Sequence, residues 1–240
     1  MVPKIIGNLF LIPTTLGDCR PENVLPESIR NTIGIVDFYI FENEKTGRKS
    51  IKLTNPEKVQ SGLKISILNK HTEKKEHLAM IQPCLDGHHV GLMSEAGCPG
   101  IADPGAVIAS LAHEKGVRVI PLVGPSSIFM ALMASGMNGQ NFAFNGYIPI
   151  EKSEKKTVLK SFEKTSFEKN QTQIFMETPY RNNKMFDDLL TTLQPDTKLC
   201  IATDITLDTE FIKTKTVAQW KKTTIDLHNR PCIFVLHRYL

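Results

Sequence analysis

The sequence predicts an α/β protein built from two α/β domains with a ligand cleft between them. Segments typical of strands alternate with segments typical of helices in both halves of the chain. The segment 123–127, Val-Gly-Pro-Ser-Ser, is compact enough to be a hinge. We therefore expect an N-terminal domain over residues 1–122 and a C-terminal domain over residues 123–240. A chain of 240 residues is long enough for two small domains.

The first half contains five apolar segments that predict strands, at 9–13, 38–42, 64–68, 90–93 and 117–122. Three segments predict helices, at 26–33, 72–82 and 103–115. In the last of these, Asp103 fits the N-cap, Pro104 fits the first turn and Gly116 fits the end. Pro83 is expected to end or kink the helix before it.

The second half begins with a helix over 128–134 that is apolar nearly all round, and we therefore expect it to be deeply buried. Segment 151–169 carries six lysines and four glutamates, a balance that favours a solvated helix and loop over a binding patch. A further helix is predicted at 184–193. Strands are predicted at 142–147, 173–177, 198–203 and 232–237.

The composition is that of a soluble globular protein, with 41% hydrophobic and 22% charged residues. No apolar run approaches the ~20 residues of a membrane helix, and the first residues show no signal-peptide pattern, so we expect a cytoplasmic protein without a membrane partner. Its five scattered cysteines, without a CxxC pair, favour reduced thiols and no metal site. The net charge of +4 permits an anionic partner without requiring one.

Three segments stand out as candidates for chemistry: 12–18, 94–105 and 124–127. The second follows the strand at 90–93 and consists mostly of small residues, which let a ligand approach the main chain. In open α/β sheets, ligands bind at this end of the strands. Two domains would bring the three segments around one cleft, where small ligands commonly bind.

These segments resemble a known family. The matching motifs are Leu-Ile-Pro-Thr-Thr-Leu-Gly-Asp at 11–18, Ser-Glu-Ala-Gly-Cys-Pro-Gly-Ile-Ala-Asp-Pro-Gly at 94–105, Pro-Leu-Val-Gly-Pro-Ser at 121–126 and Ala-Ser-Gly at 134–136. Together they resemble the tetrapyrrole methylase superfamily, and most closely its ribosomal RNA small-subunit methyltransferase I branch. Phe-Asn-Gly-Tyr-Ile-Pro at 144–149 and Glu-Thr-Pro-Tyr-Arg at 177–181 resemble later motifs of that branch.

The resemblance implies a homodimeric, S-adenosylmethionine-dependent methyltransferase that binds its cofactor in a cleft between two α/β domains. For the ribosomal branch, it implies methylation of RNA, with a ribose 2′-hydroxyl of small-subunit ribosomal RNA as the expected acceptor. Carried over to this chain, the cofactor residues are Ile12, Pro13, Ala96, Gly97, Cys98, Pro99, Ile101, Ser126, Ser127, Met176, Ala202 and Thr203.

Each of these assignments has a structural alternative. The small-residue loop also fits a tight turn, Ser126 and Ser127 also fit helix caps, and Ile12 and Pro13 also fit plain core. Cys98 is expected to serve as a wall of the site and not as a nucleophile, because methyl transfer from a sulfonium needs no covalent intermediate.

The acceptor side departs from the branch pattern in two places. The family's Glu-Asp-Thr-Arg segment is replaced by Glu-Asn-Glu-Lys-Thr-Gly-Arg at 42–48, and its Arg-Glu-Leu-Thr segment by Thr-Asp-Ile-Thr at 203–206. Glu42 remains at a strand end and is a candidate general base, with a surface ion pair to Lys45 or Arg48 as the alternative. Lys45, Arg48, Lys49 and Lys52 form a local basic stretch of candidate phosphate ligands, among which Lys45 and Arg48 are the first choice, and Arg181 is a further candidate.

Two other functions stay open at the level of sequence. One is methylation of a tetrapyrrole or another small molecule, against which stands the single glycine, Gly17, in the loop after the first strand. The other is a non-catalytic S-adenosylmethionine-binding factor of ribosome assembly, which the altered 42–48 segment permits.

Overall fold

The computed structural model describes residues 5–239. The chain divides into two compact units, the first ending at Ser126 and the second beginning at Ser127. The predicted domain boundary, after residue 122, lies just before this division. Among the described residues, no helix has the length and apolarity needed to span a membrane. All five cysteines are free thiols.

The first unit is built on a five-stranded sheet in the order β3-β2-β4-β1-β5. Its strands are β1 (Asn8–Leu11), β2 (Phe38–Phe41), β3 (Lys64–Ile67), β4 (Val90–Met93) and β5 (Arg118–Pro121). Its helices are α1 (Glu27–Ile35), α2 (Glu44–Thr54), α3 (His77–Leu85) and α4 (Ala106–Glu114). Every strand pair is parallel, so the carboxyl ends of all five strands lie at one edge of the sheet.

Two hydrophobic clusters form the core of this unit. Successive side chains of a strand point to opposite faces, and the clusters divide accordingly: Leu9 and Ile40 belong to one, Phe10 and Tyr39 to the other. The apolar residues on both faces explain why these strands read as short continuous apolar runs in the sequence.

The second unit contains a mixed five-stranded sheet in the order β6-β7-β10-β8-β9. Its strands are β6 (Phe142–Tyr147), β7 (Thr172–Met176), β8 (Lys198–Thr203), β9 (Phe211–Thr216) and β10 (Cys232–His237). Its helices are α5 (Ser127–Ser135), α6 (Lys152–Lys169), α7 (Asn182–Thr192) and α8 (Val217–Trp220). Because β10 is antiparallel to both β7 and β8, these two strands run the same way and end at the same edge.

The predicted start of α4 at Asp103 is wrong. The helix begins at Ala106, with Gly105 as its N-cap residue. Asp103 instead accepts hydrogen bonds from the backbone N–H groups of Gly100, at 2.8 Å, and Gly105, at 2.7 Å. The carboxylate therefore folds the loop before the helix, because aspartate offers backbone donors an alternative to helical hydrogen bonding.

Of the two predicted effects of Pro83, an end of the helix is wrong, since α3 runs through Pro83 to Leu85, and a kink stays a prediction. The helix starts later than predicted, at His77, after a capping box between Glu73 and Glu76. Pro83 lies near the end of the helix, where its carbonyl still accepts the His88 N–H at 2.9 Å. Proline has no backbone N–H, so the helix lacks the hydrogen bond that residue 83 would otherwise donate.

Helix α5 is not deeply buried all round. Ile128, Ala131 and Leu132 are buried, whereas Phe129 is 48% exposed and Met133 is 81% exposed. Residues three or four apart share a helix face, so Phe129 and Met133 mark a second, apolar face that the described part of this chain leaves uncovered.

Three elements were not predicted: α2, β9 and α8. Helix α2 begins at a good N-cap, Asn43, whose side chain accepts from the backbone N–H groups of Lys45 and Thr46. Its polar and charged composition hides the buried stripe formed by Gly47, Ile51 and Thr54. Strand β9 is equally polar and pairs with β8 over six residues.

Candidate functional site

The carboxyl edge of the first sheet brings together the three segments that the sequence singles out in this unit. The Thr14 N–H donates to the Gly97 carbonyl at 3.0 Å, and the Leu122 N–H donates to the Leu11 carbonyl at 3.1 Å. The Ile12 N–H donates to the Leu92 carbonyl at 2.9 Å. Loop 94–105 is thus tied to segment 12–18, as expected for loops at the ends of neighbouring parallel strands.

Gly97 is a point where loop 94–105 packs tightly against two other segments of the first unit. Its φ of +74° lies in the left-handed region, and a Cβ placed there would lie 3.1 Å from the Pro125 carbonyl oxygen and 3.1 Å from Leu16 Cδ2. The glycine therefore lets the loop contact segments 12–18 and 124–126 of the protein itself.

Cys98 fastens the same loop to segment 124–126. Its thiol lies 3.4 Å from the Pro125 carbonyl oxygen and 3.6 Å from that of Gly124, to which it can donate. Burial raises the pKa of the Cys98 thiol, which keeps it protonated and suited to donating. This geometry gives Cys98 a packing role and no feature of an activated nucleophile.

The remaining predicted cofactor residues of the first unit differ in exposure. Ile12 is fully buried in the core and Pro13 packs beneath Gly124, where a Cβ would lie 2.2 Å from Pro13 Cβ. Pro99 is buried, Ala96 is exposed and Ile101 is 44% exposed. The tip of the loop therefore presents small and apolar groups, while its base is structural.

Three carboxylates gather at this edge: Glu42, Glu95 and Asp103. Burial raises the pKa of Glu42, and the nearby charges of Glu95 and Asp103 raise it further. Burial also raises the pKa of Asp103, against the lowering effect of the N–H donors of Gly105 and Gly100. Asp103 Oδ2 is buried without a hydrogen-bond partner. A carboxyl group with a raised pKa is a good proton acceptor at neutral pH, which suits a general base.

The predicted ion pair between Glu42 and the basic residues of α2 does not form. Arg48 instead donates to Glu44 at 2.8 Å and to the Gln60 carbonyl at 2.9 Å, so its guanidinium is held within the unit. Lys45, which lies on the first turn of α2, is exposed. Of the two first-choice phosphate ligands on this helix, Lys45 is the more available to a ligand.

In the second unit, the predicted cofactor residues lie together at one edge of the sheet. Met176 at the end of β7 and Ala202 near the end of β8 both pair with Ile233, from opposite sides of β10. Thr203, the last residue of β8, pairs with Cys232, the residue of β10 before Ile233. The Thr203 hydroxyl is buried without a hydrogen-bond partner, which marks an unsatisfied polar position at this edge.

Arg181 is held by a buried carboxylate that the sequence analysis did not single out for a role. Glu177, 3% exposed, accepts from Arg181 at 2.7 Å and from the Thr178 N–H at 2.7 Å. The hydrogen bond to Glu177 is the main cause of the raised pKa of Arg181. The spacing of four residues between Glu177 and Arg181 was the available signal, since it suits an ion pair within one turn.

A second arginine–carboxylate pair lies at the same edge. Arg230 donates to Asp204 at 2.7 Å and to the Thr209 carbonyl at 2.6 Å. Asp204 directly follows β8, and its N–H donates to the Pro231 carbonyl at 3.1 Å. This ion pair ties together the connection between β8 and β9. The sequence alone could not predict it, because Arg230 is distant from Asp204 along the chain.

Ser126 and Ser127 fall at the division between the units and are both partly buried. Ser127 is the first residue of α5, so its predicted alternative as a helix-start residue matches its position. Across residues 5–239, no group of three or more His, Cys, Asp or Glu side chains is arranged to hold a metal ion.

No family model matches the chain. The chain is similar to the "Ribosomal RNA small subunit methyltransferase I" of Vibrio cholerae serotype O1, at 28% identity over 91% of this chain and 72% of that protein. It is also similar in structure to the methyltransferase CobJ, with a TM-score of 0.64 and 12% identity over 97% of this chain and 94% of that one.

A uroporphyrin-III-C-methyltransferase from Thermus thermophilus superposes with a TM-score of 0.53 and 16% identity over 96% of this chain and 92% of that one. The chain has the tetrapyrrole methylase fold. The resemblance predicted from the motifs is therefore confirmed, in sequence to the ribosomal RNA small-subunit methyltransferase I branch and in fold to the superfamily.

Proposed function

We propose that this protein is an S-adenosylmethionine-dependent methyltransferase that modifies a ribose 2′-hydroxyl of small-subunit ribosomal RNA. The observation that carries the proposal is the similarity to a protein named ribosomal RNA small subunit methyltransferase I over 91% of the chain. The carboxylate cluster at the strand ends supports it, because a carboxylate can accept the proton of a hydroxyl group.

The predicted cofactor residues fit S-adenosylmethionine. In the first unit, loop 94–105 presents Ala96 and the half-exposed Ile101, which suit the apolar parts of the ligand. In the second unit, the unpartnered hydroxyl of Thr203 suits one of its polar groups. Bound S-adenosylmethionine would supply an electrophilic methyl group on a sulfonium sulfur. The tight packing of Gly97 and Cys98 makes these two residues supports of the loop under this proposal.

Glu42 is the proposed general base. The Glu42 carboxylate would accept the proton of the acceptor hydroxyl while the hydroxyl oxygen takes the methyl group that bound S-adenosylmethionine would supply. The raised pKa of Glu42 strengthens it as a base relative to an ordinary surface glutamate. Most of the remaining rate comes from holding the acceptor oxygen in line with the bond that breaks.

Lys45 and Arg181 are the proposed phosphate contacts. Lys45 is exposed on α2, and 22% of the Arg181 side chain is exposed. Arg48 contributes by fixing α2, since both of its contacts are within the first unit.

A homodimer is also proposed, as the family resemblance implies. The exposed apolar face of α5, with Met133 81% exposed and Phe129 48% exposed, supports this proposal because isolated apolar faces of this kind commonly cover one another. An enzyme with a ribosomal substrate would act in the cytoplasm. Light scattering of the purified chain tests the dimer, and a monomer at micromolar concentration contradicts it.

The function is tested in two steps. A thermal shift with S-adenosylmethionine and S-adenosylhomocysteine should raise the melting temperature, because ligands that bind the native state stabilise it. Tritiated methyl groups should then transfer to small ribosomal subunits. After alkaline hydrolysis of the RNA, the label should remain in fragments that resist cleavage, because a 2′-O-methyl group blocks the attack of the 2′-oxygen on the neighbouring phosphate. Transfer to a porphyrin-like acceptor alone would favour the small-molecule alternative. Cofactor binding and ribosome association without transfer would favour the non-catalytic alternative.

A further inference from the structure

We propose that the cleft between residues 14–18 and helix α2 binds the acceptor nucleotide of the RNA, with its phosphate at Lys49 and its ribose toward Glu95. This inference rests on the proposed function: it selects Lys49 from the predicted basic stretch and adds cleft residues that neither the motifs nor the resemblance singled out for the acceptor. The whole cleft lies within the first unit.

The cleft has a volume of about 270 Å³, close to the lower limit of about 300 Å³ for small-ligand sites. Its polar lining is mostly hydroxyl groups, from Thr14, Thr15, Thr46, Ser50 and Thr54. Its apolar lining includes Leu16 and Leu53, the latter 43% exposed. An exposed leucine beside a row of hydroxyls provides a surface for a base and hydrogen-bonding partners for a sugar.

Lys49 supplies the positive charge of the cleft. Its ammonium lies 3.7 Å from Asp18, and both side chains are largely exposed, at 66% and 90%. A surface pair of this kind is weak, so a phosphate can displace Asp18 at small cost. By contrast, Arg48 is held by Glu44 and by the Gln60 carbonyl. Lys49 is therefore the basic residue of α2 that both lines the cleft and remains available.

Glu95 connects the cleft to the carboxylate cluster. It lines the cleft and accepts from the Thr46 hydroxyl at 3.4 Å. Its charge acts on Glu42 and raises the pKa of that group. A ribose at the Glu95 end of the cleft therefore lies on the side where the proposed general base is found, whereas a phosphate at Lys49 lies further along α2.

The experiment measures RNA and cofactor binding separately on the full chain. The RNA probe is a fluorescein-labelled single-stranded oligoribonucleotide, followed by anisotropy, and S-adenosylmethionine binding is followed by calorimetry. Ser50→Phe fills the cleft and should weaken RNA binding at least tenfold. Lys49→Gln should weaken it about threefold to tenfold and reduce the salt dependence of log Kd by about 0.7, the contribution of one phosphate contact on a single strand. Neither variant should change the cofactor Kd.

Lys115→Gln is the matched control. It removes the same charge from an exposed lysine that caps α4 before β5, at the opposite edge of the sheet, and should leave RNA binding unchanged. Should Ser50→Phe unfold the protein, Lys49→Gln decides, because its exposed side chain is not needed for folding.

The outcomes separate this inference from the proposed function. The cleft assignment is overturned if Lys49→Gln binds RNA as tightly as Lys115→Gln does. It is also overturned if the wild-type chain binds no RNA. Loss of RNA binding in Lys49→Gln and folded Ser50→Phe, but not in Lys115→Gln, supports it even if no methyl transfer is detected. In that case the catalytic part of the proposed function fails and the binding site stands.

Discussion

The two sheets arrange their polar edges in different ways. In the first unit every strand is parallel, so the loops after β1, β2, β4 and β5 are all presented at one edge. In the second unit β6, β7 and β8 end at the edge where β9 and β10 begin. This edge of the parallel sheet thus carries only strand ends, whereas the corresponding edge of the mixed sheet carries both strand ends and strand starts.

The charges at the two edges also differ. Among the described residues, no ion pair includes Glu42, Glu95 or Asp103 of the first unit. In the second unit, the edge carboxylates Glu177 and Asp204 each pair with an arginine at 2.7 Å. Glu42 at the first edge is unpaired and has a pKa raised by burial, which makes it a candidate proton acceptor. We therefore expect the proton transfer at the first edge, and a mainly structural role for the two ion pairs at the second.

The largest effect that would break this comparison is expected at Glu42. Glu42→Gln should lower the rate of methyl transfer about 100-fold, the lower range of general-base catalysis. In the wild-type protein the rate should rise with pH through the raised pKa of Glu42, because only the ionised carboxylate accepts a proton. Tritium transfer measured against pH checks both points. A variant that keeps the acid limb of the profile and the wild-type rate rules Glu42 out as the base.

The next effect concerns the packing of loop 94–105. Gly97→Ala should lower the free energy of unfolding by about 3 kcal/mol, because it adds a Cβ contact to the cost of a left-handed residue. Gly116→Ala is the control: its φ is +72° and nothing lies within 4 Å of the added Cβ, so only the cost of about 1 kcal/mol for the backbone remains. Urea unfolding measures both. Equal losses would show that the contacts at Gly97 carry no energy.

The second edge is tested by Arg230→Gln. This change removes the charged hydrogen bond to Asp204, which is 8% exposed, and should lower the free energy of unfolding by about 2 kcal/mol. If the edge is structural, the methyl-transfer rate of the folded variant should stay within about threefold of the wild type. A 100-fold loss of rate at unchanged stability would instead make this edge part of the chemistry.

The smallest expected effect is a shift in the pKa of Glu42 when the charge of Glu95 is removed. Glu95→Gln removes a negative charge near Glu42 and should lower the pKa of Glu42, moving the acid limb of the rate profile to lower pH by less than about one unit. Glu44→Gln is the control, since Glu44 pairs with Arg48 and is not among the charges that act on Glu42. A limb that stays in place in both variants shows that the charge of Glu95 does not contribute to this pKa.

The apolar pattern of the sequence predicted strands correctly where the apolar residues are also the buried ones. The strands at 38–42, 90–93, 198–203 and 232–237 are continuous apolar runs, and each is a buried strand within a residue of its predicted bounds. Sequence signals failed for α2, whose polar side chains mask a narrow buried stripe, and for β9, a polar strand that is only partly buried. They also failed at Asp103, because a residue that suits an N-cap equally suits an internal turn of a loop.

The sequence by itself determined the alternation of strands and helices, the order of the loop motifs and the family that they resemble, because these follow from side-chain periodicity and from residues that are close along the chain. Only the tertiary structure decided that Gly97 and Cys98 pack against the protein's own segments, that Glu177 holds Arg181, and that three carboxylates share one edge. Contacts of this kind depend on strand order and on burial, and a pKa depends on charges that are distant in sequence but near in space.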